Sequence, residues 1–122
     1  MTDRKLLELA AKAAWYDVVY ESTYLTFFRQ DVPGRPIWNP LNDDGDALRL
    51  AVKLGFLIEV IHGEQMVVVW DCEPANETRK TSVLWGNLTG AEVDNAHAAT
   101  RRAIVKAAAM VVKIKKKIGG NV

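Results

Sequence analysis

The chain lacks most of the features that indicate a compartment. It has one cysteine, Cys72, so no internal disulfide can form and the fold must be held by packing. No apolar run approaches the roughly 20 residues that a membrane-spanning helix requires, and the first residues carry too many charges for a secretory signal. These absences predict a cytoplasmic protein that does not associate with membranes.

Signatures of the common enzyme classes are also missing. The sequence contains no Gly-rich phosphate loop, no Gly-x-Ser-x-Gly elbow and no Cys-x-x-Cys pair. The two histidines, His62 and His97, do not form a zinc-ligand pattern. We therefore expect a non-enzymatic protein that uses no cofactor.

Apolar residues make up 49% of the 122 residues, which is enough for one core, and we expect a single domain over residues 1–122. Charge is unevenly distributed. Residues 1–95 carry 9 Lys and Arg against 15 Asp and Glu, a net charge of −6. Residues 96–122 carry 7 Lys and Arg and no acid, a net charge of +7. This segregation predicts a charged partner.

Hydrophobic periodicity divides the chain into helices and strands. The predicted elements are a helix over 3–14, two short strands within 15–28, a proline-rich loop over 29–41, a helix from Asn42 or Asp43 to Gly55, strands over 56–62 and 65–71, a loop over 72–81, an edge strand over 83–85 and a helix over 94–118. The two central strands are almost continuously apolar, which is typical of strands covered on both faces. The order α-β-β-α-β-β-α predicts an α/β protein, a three-layer α-β-α sandwich with an antiparallel or mixed sheet.

Two segments resemble the phage ABA sandwich domain family. They are residues 39–54, NPLNDDGDALRLAVKL, and residues 98–108, AATRRAIVKAA, and the opening leucine-rich helix is also similar. Members of this family are small phage and prophage proteins of unassigned function. The resemblance implies an α-β-α layered fold and a phage or prophage accessory role, and it transfers no catalytic residue.

A cluster of acids precedes the second predicted helix. Asp43, Asp44 and Asp46 surround Gly45, and three carboxylates within four residues suit a hard cation such as Mg²⁺ or Ca²⁺. The spacing does not match a calcium loop of the EF-hand type. We expect Asn42 or Asp43 to cap the helix and the other two acids to favour its dipole. A metal-dependent hydrolase centred on the three aspartates is the alternative, and capping does not explain Gly45.

The last predicted helix has a basic side. At 100° per residue, Arg102, Lys106, Lys113 and Lys117 fall within about 60° of one another. We expect this side to bind a host or phage macromolecule, with nucleic acid as the alternative partner, although solvent-facing helix sides are often charged without further purpose.

The opposite side of the same helix is apolar. Ile104, Val111 and Ile118 recur every seven residues, which indicates burial in the core, with a helix-to-helix homodimer as the alternative. Among the four tryptophans, Trp38 lies in the proline-rich loop, and we expect it at a binding surface.

Overall fold

The computed structural model describes residues 1–72, 78–85 and 95–119. Side chains are described at these positions except 72, 78, 79, 95 and 113–119. In chain order the elements are α1 (Asp3–Ala13), β1 (Val18–Glu21), β2 (Thr26–Arg29), β3 (Ile37–Trp38), α2 (Asp44–Leu54), β4 (Phe56–Ile61), a single 3-10 turn (His62–Glu64), β5 (Met66–Cys72), β6 (Thr78–Leu84) and α3 (Asn95–Gly119).

Helix α1 ends in a Schellman motif that has tryptophan at the position usually taken by glycine. The Trp15 N–H donates to the carbonyl of Lys12 at 3.2 Å, and the Tyr16 N–H donates to the carbonyl of Ala11 at 2.9 Å. Trp15 therefore adopts a left-handed backbone, with φ of 61°, and its side chain is exposed. The motif satisfies the last carbonyls of α1 at a conformational cost that glycine would avoid.

The first three strands form an antiparallel sheet, sheet A, in the order β1-β2-β3. Its inner face carries the paired row Tyr20, Phe27 and Trp38, of which Phe27 and Trp38 are almost fully buried. Strand β3 was not predicted, because it lies among prolines. Proline is tolerated there since Pro36 supplies only its carbonyl, which accepts from the Arg29 N–H at 2.9 Å.

The other three strands form a second antiparallel sheet, sheet B, in the order β4-β5-β6. The predicted hairpin between β4 and β5 is confirmed, and its turn is closed by Gln65 in a left-handed conformation. Strand β6 begins at Thr78 and so is longer than the predicted edge strand. Val67, Val69 and Val83 belong to the core on the side of the sheet that packs against α3.

The other side of sheet B, which we call the outer face, differs from the prediction. Register places on it the described residues Leu57, Glu59, Ile61, Met66, Val68, Trp70, Lys80, Ser82 and Leu84. Leu57 is 54% exposed and Leu84 is 46% exposed, whereas Val68 at the centre of this face is 3% exposed. The continuous apolar runs therefore mark a sheet with one face in the core and a second apolar face that is only partly covered.

Helix α3 is the centre of the packing. It contacts α1, α2 and the strands β5 and β6. Alanines buried on α1 (Ala10 and Ala11) and on α3 (Ala103 and Ala107) let the helix backbones approach closely. The α/β sandwich prediction is thus confirmed. The strands form two three-stranded antiparallel sheets and not one sheet, and the order α-β-β-β-α-β-β-β-α has one strand more in each half than the predicted order α-β-β-α-β-β-α. None of the helices in the described ranges is long and apolar enough to cross a membrane.

Candidate interaction surfaces

The basic side predicted on α3 is only partly free of intramolecular contacts. Arg102 is half-buried and forms a two-point ion pair with Asp3 of α1, with both Nη–Oδ distances at 3.2 Å. Lys106 is exposed one turn further along α3. Met110, also on this side, is 44% exposed. Arg102 thus ties α3 to α1, and among the described cations of this side Lys106 is the one that faces solvent.

The placement of the distal half of the basic side is given by the backbone of α3. Helix α3 continues without interruption to Gly119, so positions 113 and 117 lie on the same side as Lys106, seven and eleven residues further on. The side chains of Lys113 and Lys117 lie outside the described residues. The structure therefore brings the four predicted positions onto one side of one helix.

The apolar side of α3 lies in the core. Ile104 is 2% exposed, Ala107 and Val111 are each 3% exposed, and all three belong to the core cluster. The core interpretation of this side is confirmed for these residues, because a helix-to-helix homodimer would need them at the surface. The side chain of Ile118 lies outside the described residues.

Two of the three aspartates around Gly45 organise the start of α2. Asp43 is the N-cap, and its carboxylate accepts from the Asp46 N–H at 2.8 Å. Asp46 accepts from the Asn39 N–H at 2.9 Å and from Arg49 Nη2 at 2.8 Å. The capping role expected here is present, and the carboxylate of Asp46 is engaged on both oxygens.

The third aspartate points to a different partner. Asp44 Oδ1 accepts from Arg101 Nη1 of α3 at 2.6 Å, and Asp44 Oδ2 lies 3.5 Å from His97 Nδ1. The hydrogen bond from Arg101 lowers the pKa of Asp44 below its usual value. Arg101 also donates from Nε to the carbonyl of Leu41 at 2.8 Å. These contacts attach the start of α2 to α3.

The acidic cluster is therefore divided between two arginines. Over residues 1–72, 78–85 and 95–119, no group of three or more His, Cys, Asp or Glu side chains is placed to hold a metal ion. The contacts support capping and tethering as the roles of Asp43, Asp44 and Asp46. Arg101 was missed from the sequence because its partners are 57 and 60 residues away and no local pattern marks it.

The structure also explains Gly45. A Cβ atom at this position would lie 3.2 Å from Asp43 Oδ2 and 3.2 Å from both terminal nitrogens of Arg49. Glycine leaves room for the guanidinium of Arg49 to fold back over the first turn of α2 towards Asp43 and Asp46. The backbone of Gly45 is not in the left-handed region, so its conformation does not require glycine. The absence of a Cβ atom beside Asp43 and Arg49 is therefore the structural reason for glycine at this position.

Beside this turn, a cavity of about 610 Å³ opens between sheet A and α2, and its lining includes Arg29, Trp38 and Arg49. Both arginines already pair with carboxylates, Arg29 with Asp31 at 2.8 Å and Arg49 with Asp46 at 2.8 Å. We assign no ligand to this cavity.

The tryptophan expected at a binding surface is the wrong one. Trp38 is 2% exposed and packs edge-on against Tyr16, with the ring centroids 6.0 Å apart. Trp15 is 86% exposed instead. No pattern in the sequence distinguishes Trp15, because it follows the alanines of α1 directly and no glycine marks the end of that helix.

Comparison of the chain with protein-family models, with curated proteins and with solved structures found no match. The resemblance to the phage ABA sandwich domain family therefore stays a proposal.

Proposed function

We propose that this chain is a non-enzymatic binding module, an accessory protein of a phage or prophage, that binds an acidic surface of a host or phage macromolecule through the basic side of α3. The observation that carries the proposal is the exposed Lys106 on an uninterrupted helix. Positions 113 and 117 lie on the same side of that helix, and residues 96–122 contain no acid. A row of cations without interspersed acids attracts phosphates or carboxylates.

The surroundings of this side support binding to a macromolecule. α3 is fixed on its other sides by α1, α2 and sheet B, so its basic side is held on a rigid support. Exposed Met110 lies beside the cations and adds an adaptable apolar contact. Arg102 contributes less than its position in the row suggests, because Asp3 neutralises it.

The test is affinity capture from a bacterial lysate with charge-reversed variants. Lys106→Glu, Lys113→Glu and Lys117→Glu together should abolish capture of the partner, because the row then repels acidic groups. The matched control is Lys5→Glu, Lys12→Glu and Lys53→Glu, which makes the same change in net charge at exposed positions of α1 and α2. Equal loss of capture in both triple variants, or capture unaffected by the α3 variant, contradicts the proposal.

Nucleic acid is one class of acidic partner, and salt distinguishes it. Neutralising three phosphates gives a slope of about −2.7 in log K against log salt for duplex DNA. Affinity that falls in this way, and capture that disappears after nuclease treatment, identifies nucleic acid. A protein retained after nuclease treatment identifies an acidic protein surface.

A further inference from the structure

The outer face of sheet B is an apolar surface that the packing of α3 does not use. α3 lies against the opposite side, where Val67, Val69 and Val83 enter the core. On the outer face Leu57 and Leu84 are 54% and 46% exposed. Ile61, Met66 and Trp70 are half-buried on the same face, and Val68 at its centre is 3% exposed. Exposed apolar side chains grouped on one face of a sheet mark an interaction site.

The indole of Trp70 contacts both described charged side chains of this face. Its Nε1 donates to Glu59 Oε1 at 2.7 Å, and Lys80 Nζ lies 5.7 Å from the centroid of its ring. Glu59 lies on β4 and Lys80 on β6, at opposite edges of the three strands. Among the described side chains of the outer face, one acid and one base are thus separated by the width of the sheet.

We propose that the outer face of sheet B is the interface of a homodimer, in which it packs against the outer face of a second copy. The described charges of the outer face, one negative and one positive, sum to zero. The face therefore has no net electrostatic attraction for an acidic or a basic partner, whereas its two charges can pair with the opposite charges of a second copy. A twofold axis parallel to β5, between two facing sheets, places β4 of one copy over β6 of the other. Glu59 of each copy then comes within reach of Lys80 of the second copy, about two residues along the strand.

The size of the face sets the expected strength of the dimer. Three strands about 4.8 Å apart, with about 3.4 Å per residue, make a face of roughly 15 by 20 Å. Two such faces cover roughly 600 Å² in total, which is below the size of most specific interfaces. We therefore expect a weak dimer that is populated only towards the upper end of the micromolar range.

Sedimentation equilibrium over a range from about 5 to 500 µM tests the proposal. The weight-average mass of the full chain should rise from 13.6 kDa towards twice that value. Leu57→Ser should keep it near 13.6 kDa. The matched control is Leu48→Ser on α2, where the leucine is 59% exposed, and it should dimerise as the unmodified chain does. A mass that stays at 13.6 kDa throughout overturns the proposal and leaves the face to a different occupant.

Charge exchange tests the twofold arrangement itself. Glu59→Lys alone and Lys80→Glu alone each place like charges opposite one another, and each should shift the monomer–dimer midpoint to at least tenfold higher concentration. The double variant restores opposite charges and should return the midpoint to within about threefold of the unmodified chain. Far-ultraviolet circular dichroism and urea midpoints confirm that each variant is folded. If the double variant dimerises no better than either single variant, the proposed pairing is wrong. The result is independent of the basic side of α3, which lies on a different surface.

Discussion

Replacing Trp15 tests how α1 ends. Trp15 occupies the left-handed position of the Schellman motif with φ of 61°, and 86% of its surface is exposed. An L-residue in this conformation costs about 1–2 kcal/mol relative to glycine. The greater freedom of glycine in the unfolded chain offsets about 0.4–1 kcal/mol of that gain. Trp15→Gly should therefore be more stable than Trp15→Ala by about 1 kcal/mol, which corresponds to about 4 °C in Tm.

The comparison of glycine with alanine isolates the backbone, because both variants lose the same indole. Urea unfolding followed by circular dichroism at 222 nm gives both free energies without relying on tryptophan fluorescence. Gly55 is the internal control. It ends α2 with φ of 70° and open space around its missing Cβ, so Gly55→Ala should lose about 1 kcal/mol. If Gly55→Ala is destabilising while the two Trp15 variants are equally stable, the left-handed cost assigned to Trp15 is refuted.

Two further predictions concern the arginine pairs. Gly45→Ala offers up to about 1 kcal/mol from helix propensity, and this gain is reduced because the new Cβ crowds the cap oxygen of Asp43 and the guanidinium of exposed Arg49. The gain measured by urea unfolding should therefore be larger when Arg49→Ala is already present. Equal gains in both backgrounds would show that Arg49 is not displaced. The hydrogen bond from Arg29 lowers the pKa of Asp31 from 3.8 to about 2. The ionised carboxylate of Asp31 therefore contributes fully to the free energy of unfolding above about pH 4, and this contribution is lost as pH falls towards about 2. Urea midpoints at pH 5 and pH 2.5 should therefore fall further for the unmodified chain than for Asp31→Asn, and parallel falls would contradict this assignment.

The parts of the fold that were predicted correctly have local causes. α2 begins at a side-chain cap on Asp43 and stops at Gly55, and both signals lie within a few residues of the helix they limit. The β4–β5 hairpin was recognisable because two apolar runs are separated by a short polar turn. Such features depend on a few consecutive residues, so they can be recognised from the local sequence.

The parts that were missed depend on residues far apart in the chain. The pairing of Arg101 with Asp44 spans 57 residues, and no periodicity in the last helix distinguishes Arg101 from its neighbour Arg102. The exposed outer face of sheet B was missed for a related reason. Apolar composition predicts that a strand is buried, but only the tertiary arrangement shows that α3 packs against one side of the sheet.

The two tryptophans show the same division. Trp38 was expected at the surface because its neighbours are prolines, yet pairing of β3 with β2 turns it into the core beside Phe27. Trp15 follows a helix that has no glycine to end it, and the exposed ring results from the way the helix ends.

The packing of α1 against α3 also has a consequence for synthesis on the ribosome. The ion pair between Asp3 and Arg102 joins residues 99 apart, so α1 is made long before the helix it packs against. Contacts of such sequence separation slow folding, because a long loop must close before they form. During translation the leucines of α1, Leu6 and Leu7, stay without this partner until α3 leaves the ribosome. We therefore expect cooperative folding to be completed after α3 emerges, with α1 joining the core at a late step.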